Sequence, residues 1–100
     1  MQREAIRQDD EGDVLVHRFL TDHLQQLGRL SSGERDDVLE SIRQLGCAWA
    51  AHRLAPTEQD RTRALREVDA AMAELDLLAE RLAATHGDEE LARILRTMPA

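Results

Sequence analysis

Apolar residues recur at a strict three-four spacing in three successive stretches, and each stretch seats a histidine where the rhythm calls for a hydrophobe. The first holds Val16, Leu20, His23, Leu27 and Leu30; the second Val38, Ile42, Leu45, Trp49 and His52; the third Leu65, Val68, Met72, Leu75, Ala79, Leu82 and His86. An α-helix brings residues at that spacing onto one face, so the chain is expected to form helices packed along long seams. Aromatic residues are limited to Phe19 and Trp49. The core must then come from Leu, Val, Ile, Met and Ala, which suits helices better than strands. At 100 residues the chain has the length of one small domain with a modest core.

Local signals set the boundaries. Asp9, Asp10, Glu11 and Asp13 cluster before Val14, where carboxylates complement the positive end of a helix dipole. A first helix is expected over about 10–29, with residues 1–9 polar and Ile6, one heptad before Asp13, able to extend it backward. Gly28 and Ser31-Ser32-Gly33 end it, and Ser31 with Glu34 has capping-box spacing. The second helix runs over about 33–54 and stops before Pro56, since the residue preceding proline leaves the helical region. Thr57 with Asp60 starts a third over about 57–86, capped by Gly87. Asp88-Glu89-Glu90 opens a fourth over about 88–97 carrying Leu91, Ile94 and Leu95, and Pro99 closes it. The expected fold is an all-α antiparallel bundle of three main helices plus a short C-terminal fourth.

Helix three has about 30 residues and so about 45 Å of length, against about 30 Å for each of the first two. Symmetric short turns then leave it overhanging beyond about Leu78, with Leu78, Ala79 and Leu82 in need of a cover that helix four is too short to complete. A second copy of the chain is the simplest cover. Ala64, Ala71 and Leu78 widen the apolar face of helix three. The small residues around Gly46, namely Cys47, Ala48, Ala50 and Ala51, mark a place where another helix approaches closely, which offsets the roughly 1 kcal/mol of helix propensity that glycine forgoes.

The formal net charge is −7, which argues against binding nucleic acid, whose phosphates need a basic patch. Every basic side chain is arginine, and Lys, Asn and Tyr are missing, the bias of a GC-rich bacterial or phage genome. Cys47 is the sole cysteine, so neither an intrachain disulfide nor a multi-thiol metal site can form. No apolar run approaches the roughly 18 residues of a membrane span, and the N-terminus does not open a signal peptide. A cytoplasmic protein with no membrane partner is expected.

The histidines are the side chains whose ordinary titration falls nearest neutral pH. His23, His52 and His86 are read as polar or pH-sensitive core positions. Asp13, His17 and His52 fall at one level of the first two helices and form the best metal constellation, though without a His-x-x-x-His or Glu-x-x-His pair; no cofactor is expected. Met72 with a histidine could ligate haem, but its seam position is explained by packing. Ala50-Ala51-His52-Arg53-Leu54 resembles the Ala-His-x-Leu of histidine phosphotransfer domains, which are small four-helix bundles. The resemblance implies a phosphoryl relay through His52, with Ala55-Pro56 standing where that family carries Lys-Gly.

No glycine-rich phosphate loop, Cys-His pair or Gly-x-Ser-x-Gly elbow is present, and Ser31, Ser32 and Ser41 are read as caps or surface residues. The expected role is therefore not enzymatic but binding to another protein and self-association, as a regulator, inhibitor, antitoxin or chaperone. Interface anchors are expected at Trp49, Leu78, Leu82, Leu91 and Leu95. Acidic mimicry of nucleic acid, with carboxylates filling the basic groove of a DNA-binding or defence protein, is an alternative from a different class.

Overall fold

A computed structural model describes residues 8–98. Ile6 and Pro99 lie outside the described residues, and so do the side chains of Asp9 and Asp10. The chain is an all-α bundle with no strands among the described residues: α1 (Gln8–Asp22), α2 (Leu24–Leu27), α3 (Ser32–Leu54), α4 (Glu58–His86) and α5 (Glu89–Arg96). The expected capping chemistry sets the main boundaries. Ser31 Oγ accepts the Glu34 N–H at 3.2 Å while Glu34 Oε1 accepts the Ser31 N–H at 3.0 Å, a complete capping box that starts α3. Thr57 Oγ1 accepts the Asp60 N–H at 3.0 Å and starts α4, and Asp88 Oδ1 accepts the Leu91 N–H at 3.0 Å and starts α5. Gly87 takes φ of 67°, a left-handed corner that turns the chain from α4 into α5.

The first helix differs from its sequence reading. It breaks at His23, where φ is −130° and ψ is 34°, so the expected helix over 10–29 becomes α1 and a single turn, α2. The His23 N–H still reaches the Phe19 carbonyl at 2.9 Å and the Leu27 N–H reaches the His23 carbonyl at 3.0 Å. The break is thus a kink in a continuous path. Its cause is a conflict within the seam: the imidazole stays half-buried against the Phe19 ring, with centroids 4.7 Å apart, while Leu27 and Leu30 turn inward and are buried.

Packing is sequential. α1 and α4 both lie along α3, and α5 folds back on α4. The resulting molecule measures 44 × 32 × 19 Å, its long dimension set by α4, and α3 lies between α1 and α4. One core joins Phe19, Leu27 and Leu30 to Val38, Ile42 and Leu45 of α3, to Val68, Leu75 and Leu82 of α4 and to Leu91 and Leu95 of α5. Ser41, expected at the surface, is buried in α3.

The small-residue patch on α3 has the purpose read from sequence, and its partner is α1. A methyl group added to Gly46 would lie 2.9 Å from the Gly12 Cα and 3.1 Å from the Glu11 carbonyl oxygen. One added to Gly12 would lie 2.7 Å from the Arg43 carbonyl oxygen. The two glycines mark a crossing at backbone contact. On either side of it, Arg53 to Glu11 at 2.6 Å and Arg43 to Asp13 at 3.2 Å tie the same two helices, although such exposed pairs contribute little individually.

The expected overhang of the long helix does not exist. His86 Nε2 lies 2.9 Å from Glu34 Oε1, which places the last turn of α4 beside the first turn of α3. Leu78, Ala79 and Leu82 are buried within the chain, because α5 carries Leu91, Ala92 and Leu95 onto α4 and all three are buried there. Arg29 to Asp88 at 3.5 Å further ties the α2–α3 connection to the α5 cap. The second copy invoked as a cover is not required at this end.

Candidate protein-binding surface

The buried line of α4 is rotated from the one expected. Ala64, Val68, Ala71, Leu75, Leu78 and Leu82 are buried, whereas Leu65 and Met72 are exposed at 40% and 39%. The reason is side-chain size. Ala64 lines a groove with Ala51, Leu54 and Ala55 of the α3 end, and Ala71 lines another with Ala48 and Cys47; alanines let α3 come close on that flank and draw the contact toward it. Leu65 and Met72 are left as an apolar edge on the other flank.

Arg61, one turn before Leu65, lines a shallow cleft with Trp49, His52 and Arg53. The edge of α4 therefore borders the side of α3 that carries Trp49. That indole is half-buried and meets the His52 ring edge-on, with centroids 5.7 Å apart and planes at 90°. Its Nε1 is buried with no hydrogen-bond partner. A second cleft runs from Trp49 and Arg53 to Val14, Leu15 and Arg18 of α1. Both clefts lie in the C-terminal half of α3, at Gly46 to Arg53. Trp49 with Arg53 and Arg61 lines the first cleft, and Leu65 and Met72 continue along the exposed edge of α4 from Arg61.

The other sequence-derived positions fall elsewhere. Leu78, Leu82, Leu91 and Leu95 are internal anchors of the α4–α5 hairpin and not surface residues, so of the five expected interface residues only Trp49 remains accessible. The signal that could have found Leu65 and Met72 was the alanine flank: Ala64 and Ala71 occupy the centre of the face, so the larger residues beside them had to lie at its margin.

Asp13, His17 and His52 are not brought together. Gly12 crosses α3 at Gly46, so Asp13 pairs with Arg43 and His52 lies well beyond the α1 crossing, against Trp49. The level shared by His17 and His52 assumed a symmetric turn and an unbroken first helix, and the kink at His23 removes both conditions. Among the described residues no group of three or more His, Cys, Asp or Glu side chains is placed to hold a metal ion. Met72 lies on the exposed edge of α4, while His23, His52 and His86 meet Phe19, Trp49 and Glu34 respectively.

The three seam histidines lie apart. His23 packs on Phe19, His52 on Trp49, and His86 on Glu34. The last contact has an electrostatic result. The Ser31 backbone N–H donating to Glu34, and next the His86 side chain beside it, hold the Glu34 carboxyl below its ordinary value of 4.5. A single carboxylate thus caps α3 and meets the end of α4, where a cation would complement the helix dipole. No helix among the described residues is long and apolar enough to cross a membrane.

Compared with protein-family models, curated proteins and solved structures, the chain matches none.

Proposed function

We propose that this chain is a small acidic helical protein that acts by binding protein surfaces, its own included, in the manner of a regulator, inhibitor, antitoxin or chaperone. The observation that carries this reading is the pair of large apolar side chains, Leu65 and Met72, exposed at 40% and 39% on one edge of the longest helix, an edge that begins at Arg61, where α4 shares a cleft with Trp49. Tryptophan, arginine and methionine are the residues enriched at protein interfaces and their hot spots. A photoreactive residue at position 65, with one at Glu74 on the opposite flank as control, tests the reading in cells of the source organism. Protein cross-links from position 65 alone are expected. Equal yields from both positions, or none, refute it.

A second reading has one observation in its favour. His52 lines an open cleft with Arg53 and Arg61, two guanidinium groups able to stand near a phosphoryl group in place of the lysine that histidine phosphotransfer domains carry. Incubation with a small phosphodonor should then leave acid-labile phosphate on the wild-type chain and none on His52→Gln. Absence of labelling on the wild type removes this reading.

A further inference from the structure

The exposed edge of α4 has an internal symmetry. Arg61, Leu65, Met72 and Asp76 fall within about 60° on the helix at 3.6 residues per turn, and all four are exposed. Their spacings are four, seven and four residues, so the stripe reads the same from either end. One end is basic, the other acidic, and the middle is apolar. An antiparallel two-fold pair of helices needs that arrangement, because its symmetry sets each residue of one stripe against the mirror position of the other.

We propose that the chain associates through this stripe as an isologous, antiparallel α4–α4 dimer, in which Leu65 meets Met72 of a second copy and Arg61 meets Asp76 of the second copy, each contact occurring twice. The proposal rests on the protein-binding reading above and names the partner and the register. The two-fold axis passes between Val68 and Asp69. Counting outward from it, Glu58 of the second copy, the first residue of its α4, falls opposite Ala79. Ala79 is fully buried, in the stretch of α4 where α5 packs. The partner helix therefore fits the open turns of α4 and ends where the intrachain cover begins.

Charge selects a second copy over an unrelated apolar helix. Asp76 has no ion pair among the contacts of the described residues, and Arg61, which holds Glu58 at 2.8 Å, keeps further donors on its planar fork for a second carboxylate. Asp69 and its copy lie beside the axis, a like-charge contact that keeps the association weak. With few side chains on each half, the contact belongs to the small, transient class of interface.

Sedimentation equilibrium over a micromolar to millimolar series tests the register by charge reversal. Arg61→Asp and Asp76→Arg each place two like pairs in the dimer and should each weaken self-association about tenfold or more, with unchanged circular dichroism. An equimolar mixture of the two variants restores both opposite-charge pairs, as does the double variant R61D/D76R, and each should recover wild-type association. A wild-type chain that stays monomeric throughout overturns the dimer. Association that survives the single reversals, or fails to return in the mixture, overturns the register. Cross-linking from position 65 to a different protein in any of these cases leaves the broader reading standing, so the two failures are distinguishable.

Discussion

Replacing Gly46 by alanine sets two opposed effects against each other, and the structure decides between them. Alanine in the middle of a helix gains about 1 kcal/mol over glycine from propensity. Its methyl carbon, however, would sit 2.9 Å from the Gly12 Cα, 3.1 Å from the Glu11 oxygen and 3.3 Å from the Gly12 nitrogen, all backbone atoms that cannot rotate away. Carbon atoms prefer about 3.5–4.0 Å, so α1 must move off α3 by more than half an ångström along a contact it makes over most of its length. Overpacking of this kind costs about 1–3 kcal/mol. The overlap is with fixed backbone, so the upper half of that range applies, and the net loss is about 1–2 kcal/mol, or roughly 5–15 °C in Tm for a domain of this size. Gly33→Ala is the internal control: nothing lies within 4 Å of its added carbon, so it should gain stability from the same change. Gly12→Ala, whose carbon would meet the Arg43 oxygen and the Cys47 Sγ at 2.7 Å, should lose as much as Gly46→Ala. The double variant should lose less than the sum, since one helix displacement relieves both overlaps. Urea denaturation followed by circular dichroism measures all four. A Gly46→Ala chain as stable as the wild type, with Gly33→Ala gaining as expected, would refute the reasoning.

Three further outcomes follow from the same geometry. The Glu34 carboxyl is held below its ordinary 4.5, and a group whose pKa is lower in the folded chain adds stability that is present above the unfolded value and lost as pH falls through the folded one; stability should therefore decline below about pH 4.5, and Glu34→Gln should shallow that decline in denaturant titrations taken at stepped pH, identical slopes counting against the contact. Gly87→Ala has open space around it but φ of 67°, so it should lose about 1 kcal/mol from backbone strain alone, and a neutral result would mean that the corner is not left-handed. Leu91→Ala removes a fully buried side chain and should cost about 2–5 kcal/mol, whereas Leu77→Ala, exposed at 56%, should stay within about 0.5 kcal/mol; similar losses for both would count against α5 as the cover of α4.

How much of this was legible depends on which physical signal carried each element. Caps were legible because they are local: Ser31 with Glu34, Thr57 with Asp60, and Gly87 each act within one turn, and each boundary lies where those residues put it. The close approach at Gly46 was legible too, since a glycine inside a helix calls for a neighbour, although nothing local named Gly12. The kink at His23 was not, because periodicity continues through it and only the joint demand of a half-exposed imidazole and two buried leucines bends the chain. The direction in which α4 packs was misjudged for a related reason. Spacing picks a face about 100° wide, and choosing its centre requires knowing that alanines, by their small size, attract the neighbouring helix. The candidate surface inherited that error: Leu65 and Met72, expected in the seam, are exposed, and Leu78 and Leu82, expected on an uncovered overhang, are buried.

The order of packing, with α1 on α3, α3 on α4 and α4 on α5, also bears on how the chain reaches its fold. Each main helix docks on a neighbour in sequence, across connections of a few residues, so loop-closure entropy stays small and formation should be rapid. The hairpin of α4 and α5 can assemble before α1 has found its groove. α1 packs mainly on α3 and adds Phe19 to the shared core, so its release costs that burial but leaves the other packed pairs, α3 on α4 and α4 on α5, in place. Opening there uncovers the Leu15 side of Trp49 while leaving the Leu65–Met72 edge of α4 intact, so the molecule can lose its first helix transiently and keep the surface on which the proposed partner rests.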